Sequence, residues 1–544
     1  MDQFVLKHKW ATSLCINLLF FLLANLFLFP VFNSGDDFFL MYTLAGGYGE
    51  APTNLLQYDH IWHPVLGWVI KTLFISFPKI NWYTTFILFL QILSCTIILY
   101  VLLQKITVRK ALLLYIIFFF FIELRSLLSI NFTSTAWISA VAGFMFLLEA
   151  VSKQKSKTAI VIISLLLLIT GLLRLHVLIA VNILFIPAFL IYGLRGYKKW
   201  GIAIAVVWVI LLVLNIQHKD FYKENIDGWQ KQEKYRQSLF YMINSRGEIP
   251  GEKKEKILSP VEQAFLSSAF FIDTSLLSAS KFNQIGQMKR SGYKFNVHDF
   301  ARGIYWLFID LRVYILLFFI GLFIAWQIKT LKKLVWKLTR FILFTGGAYF
   351  FLLIFYKMTP ALHLGFMMIV WVYLVFVLSS LKLGPTKMTS RIFYSTILLV
   401  VPLAWMVIRI VKNDNANRSK HSKFECFVSE INLHPDKLFI ATDDLLPFAF
   451  YYIWDAPANN KISNLIYKDR VMTFTYWQTL KRFGILNPVN AIYKNPDVFL
   501  IGNDLPELKD YFLEKYKLTI NISPRLDEYN CLKVKKIGCI APCE

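Results

Sequence analysis

His63-Pro64-Val65-Leu66-Gly67-Trp68-Val69-Ile70-Lys71-Thr72-Leu73-Phe74-Ile75-Ser76-Phe77-Pro78-Lys79 decides which side of a membrane every later segment faces. The run is apolar, but two prolines bound it and Lys71 interrupts it. It also falls short of the roughly 20 residues that cross a bilayer as a helix. If it crossed, Lys105, Arg109 and Lys110, beyond the next apolar run Trp82 to Leu103, would lie outside. If it lies flat on the outer surface as an amphipathic helix, those cations lie inside. The same choice puts the later clusters inside: Lys153, Lys155 and Lys157; Arg195, Lys198 and Lys199; Lys329, Lys332, Lys333, Lys337 and Arg340; Lys382, Lys387 and Arg391. Cytoplasmic loops of multispanning proteins carry the excess of Lys and Arg. One assignment satisfies all of these clusters, and it is the flat helix.

Outward from that stretch the chain reads as an all-α polytopic membrane protein over residues 1–411. Of 544 residues, 57% are hydrophobic and 17% charged, and the mean hydropathy is +0.52. Runs long enough for a hydrocarbon layer of roughly 30 Å include residues 12–32, 82–103, 133–150, 177–194, 303–328, 361–380 and 392–411. The full pattern gives about 11 transmembrane helices, of which residues 111–122 form the shortest. Lys7 and Lys9 place the N-terminus in the cytoplasm, and an odd number of spans sends the C-terminus outside. The first run has no small-residue cleavage site and reads as a retained span. Outer loops cover 33–81 and 217–302. Residues 412–544 shift in composition and read as a small extracytoplasmic α/β domain. Its expected strands are 437–441, 498–501 and 531–534, with a helix over 506–516. Cys426, Cys531, Cys539 and Cys543 all fall there, and an oxidising compartment would allow disulfides. The net charge of +24 follows the loop clusters, not a basic, aromatic-rich soluble surface, so nucleic acid is not an expected partner.

Under this topology the polar residues near membrane depth collect on the outer side. Asn33-Ser34-Gly35-Asp36-Asp37 follows the first span, and Tyr58-Asp59-His60-Ile61-Trp62-His63-Pro64 continues the same loop. Glu123 and Arg125 follow the third span, and Arg174 and His176 separate the fifth from the sixth. Asp310 and Arg312 open the eighth, and Lys357 and His363 flank the turn between the ninth and tenth. Ionisable groups inside a bilayer are costly and mark sites. Carboxylates beside cations suit a reaction that takes a proton from an acceptor hydroxyl while Arg and Lys hold a departing phosphate. Catalysis is assigned to Asp36 or Asp37, with Asp36 preferred as base. Phosphate binding is assigned to Arg174 and Lys357, with Arg125 and His363 in support. Sugar or acceptor contact is assigned to His60, His63 and Trp62, the last by stacking. Plainer roles compete with each: a solvated helix end for the acid pair, a snorkelling cation for Arg174, polar loop positions for the histidines. Asp310 and Arg312 read as a local ion pair. The two histidines and two aspartates together could hold a divalent cation.

These features resemble the GT-C superfamily of membrane glycosyltransferases. The branch in question contains the lipid A aminoarabinose transferases and the protein O-mannosyltransferases. There an acidic pair follows the first transmembrane helix, as Asp36-Asp37 does. A proline-led amphipathic helix lies on the membrane before the second span, as His63-Pro64-Val65-Leu66-Gly67-Trp68-Val69-Ile70 does. A basic residue lies between two short mid-chain helices, as in Gly171-Leu172-Leu173-Arg174. A late motif joins a Lys to a Pro and an aromatic at the lipid-phosphate site, and Lys357-Met358-Thr359-Pro360-Ala361-Leu362-His363 is similar to it in part. Three positions depart: Asp-Asp replaces a common Asp-Glu, His63 replaces a common Lys, and His363 stands where an aromatic is usual. The resemblance implies a polyprenyl-phosphate sugar donor entering from the bilayer, an inverting single displacement, and no metal or other cofactor. The acceptor would be a hydroxyl on a lipid-linked glycan, lipopolysaccharide or protein. The expected location is a bacterial inner membrane with the tail in the periplasm.

Other readings remain open at this point. A glycan polymerase or ligase with a diphosphate-linked donor would draw on Arg236, Arg246 and His298 of the large outer loop, though the acid pair speaks against it. A flippase or transporter needs broken helices near the midplane and internal repeats, and the sequence has no repeat. A non-enzymatic envelope assembly factor would leave the acid pair dispensable.

Overall fold

A computed structural model describes residues 5, 7–56, 62–152, 157–192, 198–245, 257–291, 301, 305, 339–341, 343–351, 360–379, 390–442, 451–471, 473–502, 507–524 and 534–542. It is mostly helical, with a few short strands. Among the described residues, five helices are long and apolar enough to cross a membrane: Lys9–Phe27, Trp82–Lys105, Phe132–Val151, Thr158–Pro187 and Gly201–Asn225. The protein is therefore an α-helical membrane protein. The expected span over 303–328 lies outside the described residues. The chain divides into two compact units, one of residues 1–33, 84–216 and 295–417, the other of residues 34–83, 217–294 and 418–544.

In the first unit, helix Lys9–Phe27 runs antiparallel to Trp82–Lys105. Lys9 Nζ donates to Gln104 Oε1 at 3.4 Å, and the Trp10 and Tyr100 rings lie 5.4 Å apart. Lys105 pairs with the buried Glu149 at 2.7 Å, which brings the C-terminal ends of Trp82–Lys105 and Phe132–Ser152 together. Beyond the far end of Lys9–Phe27, strand β1 (Val31–Phe32) pairs in parallel with β2 (Ser129–Ile130). Residues 108–128 are helical throughout, with one π-helical turn at Phe119–Glu123. Helix Lys157–Tyr192 is broken at Arg174, where the backbone is extended (φ −158°, ψ 89°). Helices Pro360–Ser379 and Phe132–Ser152 pack as closely as a glycine allows, since a Cβ on Gly365 would sit 2.2 Å from the Trp137 ring.

The second unit holds a five-stranded mixed sheet in the order β4-β3-β5-β7-β6. Its strands are β3 (Leu438–Ala441), β4 (Leu465–Tyr467), β5 (Val498–Ile501), β6 (Leu518–Pro524) and β7 (Val534–Pro542). β4, β3 and β5 are parallel and fully buried, as continuous apolar runs must be in parallel sheets. β7 joins antiparallel to both β5 and β6. The expected elements at 437–441, 498–501 and 506–516 appear within a residue of those bounds. The last strand begins at Val534, with 531–533 outside the described residues. Sequence reading missed β4, which is three residues long, and β6, whose Leu518-Thr519-Ile520-Asn521-Ile522 alternation was legible.

Helices from the mid-chain loop, Trp229–Asn244, Pro260–Ser267 and Ala279–Ser291, share one core with this sheet. Leu239, Phe265 and Phe282 are buried in it with Ile440, Leu500 and Tyr511. Asp273 closes the seam: Lys515 donates to it, as do Ser275 Oγ at 2.6 Å and Tyr511 OH at 2.5 Å. Burial alone would raise this carboxyl, but the hydrogen bonds from Lys515, Ser275 and Tyr511 outweigh it and hold Asp273 below the usual carboxylate range. Helix Ser390–Asn432 runs past 411, where the apolar run ends, because no Pro or Gly occurs between Pro402 and Pro435. Cys426, on that helix, is disulfide-bonded, whereas Cys15 and Cys95 are free.

Helix Pro64–Ser76 has two apolar faces. Leu66, Gly67, Ile70 and Phe74 are buried, and Leu44 and Leu56 approach Gly67. Val65, Trp68, Val69 and Ile75 are exposed, Trp68 by 57%. At 1.5 Å per residue it is about 20 Å long, too short for a hydrocarbon layer of roughly 30 Å.

Candidate functional site

The acid pair opens helix Gly35–Ala45. Ser34 is the N-cap, and Asp36 and Asp37 occupy the first turn, where free N–H groups and the helix dipole favour negative charge. The rest of the helix is aromatic and buried. Phe38 meets Tyr451 and Phe424 edge-on at 5.4 and 6.0 Å, and Phe39 meets Tyr467 at 5.0 Å. Tyr42 OH donates to the Asn460 carbonyl at 2.7 Å, Ile462 N to the Gly47 carbonyl at 2.7 Å, and Arg482 Nη1 to Glu50 Oε1 at 2.9 Å. Asn81 Nδ2 donates to the Ile453 carbonyl at 2.8 Å. The position of the acid pair is thus set by the C-terminal tail.

The two carboxylates have different surroundings. Asp37 is fully buried and both oxygens accept: Oδ2 from Ser34 Oγ at 2.6 Å, Oδ1 from Tyr83 OH at 2.7 Å. Tyr83 in turn stacks on Trp62 at 5.1 Å, and both rings are buried. Asp36 is 34% exposed and lines a small, open cleft. Its other walls are Phe39, Leu40, Thr43, Leu55, Leu56 and the tail segment Thr473-Phe474-Thr475. Asp36 Oδ1 accepts from Arg470 Nη1 at 3.0 Å, while Oδ2 accepts no hydrogen bond among the described residues.

Arg470 is itself held firmly. Its guanidinium lies 4.2 Å over the Phe39 ring, and Nε is 3.6 Å from Asp469 Oδ2. Its carbonyl accepts from both Thr473 N at 3.0 Å and Thr473 Oγ1 at 2.8 Å. Sequence reading missed Arg470, Tyr83 and Ser34. Ser34 had a legible signal, an N-cap serine three residues before Asp37. Arg470 had none, lying 434 residues from its partner.

His63 caps helix Pro64–Ser76, its Nδ1 accepting from Val65 N at 3.2 Å, and its ring meets His218 edge-on at 5.4 Å. Trp62 supports Tyr83 and presents no open face. His60 lies outside the described residues. The expected phosphate ligands belong to the first unit. There the Arg174 guanidinium sits 5.5 Å over the Phe132 ring, Arg125 is exposed on the short helix Leu124–Leu128, and His363 is buried with Nδ1 2.8 Å from Tyr349 OH. Lys357, Asp310 and Arg312 lie outside the described residues. Arg236 is buried and held by Glu233 at 2.8 and 2.5 Å, and Arg246 and His298 lie outside the described residues. Among the described residues no three or more His, Cys, Asp or Glu side chains group as metal ligands. No family model matches the chain, nor does any curated protein or solved structure.

Proposed function

We propose that the protein is an integral membrane glycosyltransferase. It would move a sugar from a polyprenyl-phosphate donor to an acceptor hydroxyl at the extracytoplasmic face. The observation that carries this reading is the asymmetry of the acid pair: Asp37 is buried with both oxygens accepting, whereas Asp36 lines an open cleft and, among the described residues, only its Oδ1 accepts a hydrogen bond. A general base needs an accessible lone pair within hydrogen-bond reach of the proton it takes. In the proposed step the acceptor oxygen bonds to the anomeric carbon and its proton passes to Asp36. The bond from that carbon to the phosphate oxygen breaks, and polyprenyl phosphate leaves with the electron pair. Direct displacement inverts the anomeric centre. Arg174, Lys357, Arg125 and His363 would hold the phosphate. Arg236, the loop arginine that a diphosphate-dependent polymerase would use, is occupied by Glu233, so that alternative is not favoured.

The proposed topology has 11 spans, a cytoplasmic N-terminus and a periplasmic tail in a bacterial inner membrane. Three observations support it. Lys9 lies beside Gln104 and Lys105 beside Glu149, which fits their helix ends sharing the basic side of a bilayer. The second compact unit gathers 34–83, 217–294 and 418–544, nearly the same segments that the charge pattern assigns to the outside. The Cys426 disulfide fits an oxidising compartment. The acceptor is a hydroxyl on a lipid-linked glycan, lipopolysaccharide or protein.

The test is transfer from a panel of polyprenyl-phosphate sugars by purified protein and by Asp36→Ala, Asp37→Ala and Arg174→Ala. Turnover of one donor, with Asp36→Ala reduced about 100-fold, a loss of about 2.7 kcal/mol in transition-state stabilisation, supports the assignment. Asp36→Ala at wild-type rate sinks it.

A further inference from the structure

We propose that Arg470, supplied by the C-terminal tail, is the positioning residue for Asp36, which makes the tail an obligatory part of the catalytic site. This inference rests on the transferase reading above. The geometry is that of an anchor that leaves the base usable. Arg470 Nη1 holds Asp36 Oδ1 at 3.0 Å, Asp36 lines the cleft, and among the described residues no group donates to Oδ2. Arg and a carboxylate readily form a bidentate fork that engages both oxygens. Here the contact is to one oxygen only, and the carboxylate is 34% exposed where the guanidinium is 12% exposed.

The anchor is rigid for reasons that lie in the tail. Thr473 closes the backbone turn on the Arg470 carbonyl through both its N–H and its hydroxyl. Phe39, one helical turn after Asp36, lies under the guanidinium at 4.2 Å, so one arginine contacts two positions a turn apart on the same helix. Lysine could keep the charge but not the planar stacking on Phe39 or the fixed direction of the N–H groups. The same turn carries Thr473-Phe474-Thr475 into the cleft wall, so the tail both orients the base and bounds the space where an acceptor hydroxyl would meet it.

The experiment uses full-length protein in detergent and combines transfer kinetics with thermal unfolding for Arg470→Ala, Arg470→Lys, Asp36→Ala and the double variant Asp36→Ala/Arg470→Ala. Arg470→Ala should lose about 100-fold in kcat with the donor KM within about threefold of wild type. Guanidinium chloride at millimolar concentration should restore about tenfold of that loss. Arg470→Lys should fall between wild type and Arg470→Ala. Unfolding midpoints should be non-additive, the double variant being no less stable than the weaker single variant. Arg470→Ala within threefold of wild-type kcat, or a loss that guanidinium does not reverse, overturns the proposal. If wild type turns over no donor, the transferase reading fails by itself. The unfolding cycle then decides Arg470 alone, and additive midpoints overturn the pairing.

Discussion

Asp36 and Asp37 are adjacent in sequence and alike in chemistry, yet the fold gives them opposite surroundings. Asp37 is a buried carboxylate that accepts hydrogen bonds from Ser34 and Tyr83. A hydrogen bond to a charged group contributes about 1.5–3 kcal/mol. Tyr83→Phe should therefore lower stability by that order, as measured by denaturant or thermal unfolding in detergent. It should leave the Asp36 cleft in place, because Asp36 is held from the tail by Arg470. A fall in activity no larger than the fall in folded fraction is the expected result. Loss of activity in a fully folded Tyr83→Phe protein would instead place Asp37 in the chemistry.

Helices show the same division between what is buried and what faces outward. On Pro64–Ser76, Trp68 stands on the exposed apolar face, while Trp62 just before the helix is sealed under Tyr83. If the exposed face rests on lipid, brominated phospholipids should quench Trp68 and spare Trp62. The check is the difference in quenching between wild type and Trp68→Phe in reconstituted vesicles. Equal quenching would show that this face is not against lipid. Gly365 tests packing rather than exposure. A methyl group there would lie 2.2 Å from Trp137, so Gly365→Ala must separate helices Pro360–Ser379 and Phe132–Ser152. Overpacking of this kind costs about 1–3 kcal/mol. Lower thermal stability is expected, with partial recovery on pairing the change with Trp137→Leu.

At the scale of the whole molecule, the tail and the mid-chain loop share a core, and Asp273 bridges them through Tyr511 and Lys515. Its folded-state pKa is depressed, so its contribution is present above the unfolded value of about 3.9 and is lost as pH falls through the folded value. The second unit should lose stability progressively as pH drops from about 5 through the folded value, which lies below the usual carboxylate range. Asp273→Asn should flatten that dependence and lower stability at neutral pH by about 2 kcal/mol. Limited proteolysis across pH, read at the mid-chain loop, checks both. An unchanged pH profile in the variant would mean that other carboxylates carry the acid response.

The sequence by itself determined the membrane class, because apolar length and the sidedness of Lys and Arg are properties of composition along the chain. It also located the tail strands β3 and β5, since long buried parallel strands must be runs such as Leu438-Phe439-Ile440-Ala441. It picked out Asp36-Asp37 because two charges after a span are costly without a purpose. Only the tertiary structure decided which aspartate is buried and which lines the cleft. That choice depends on Tyr83, 46 residues from Asp37, and on Arg470, 434 residues from Asp36. Hydrogen bonds of that reach leave no periodic trace in a sequence, because nothing local marks the residue that will meet a carboxylate once the chain has folded.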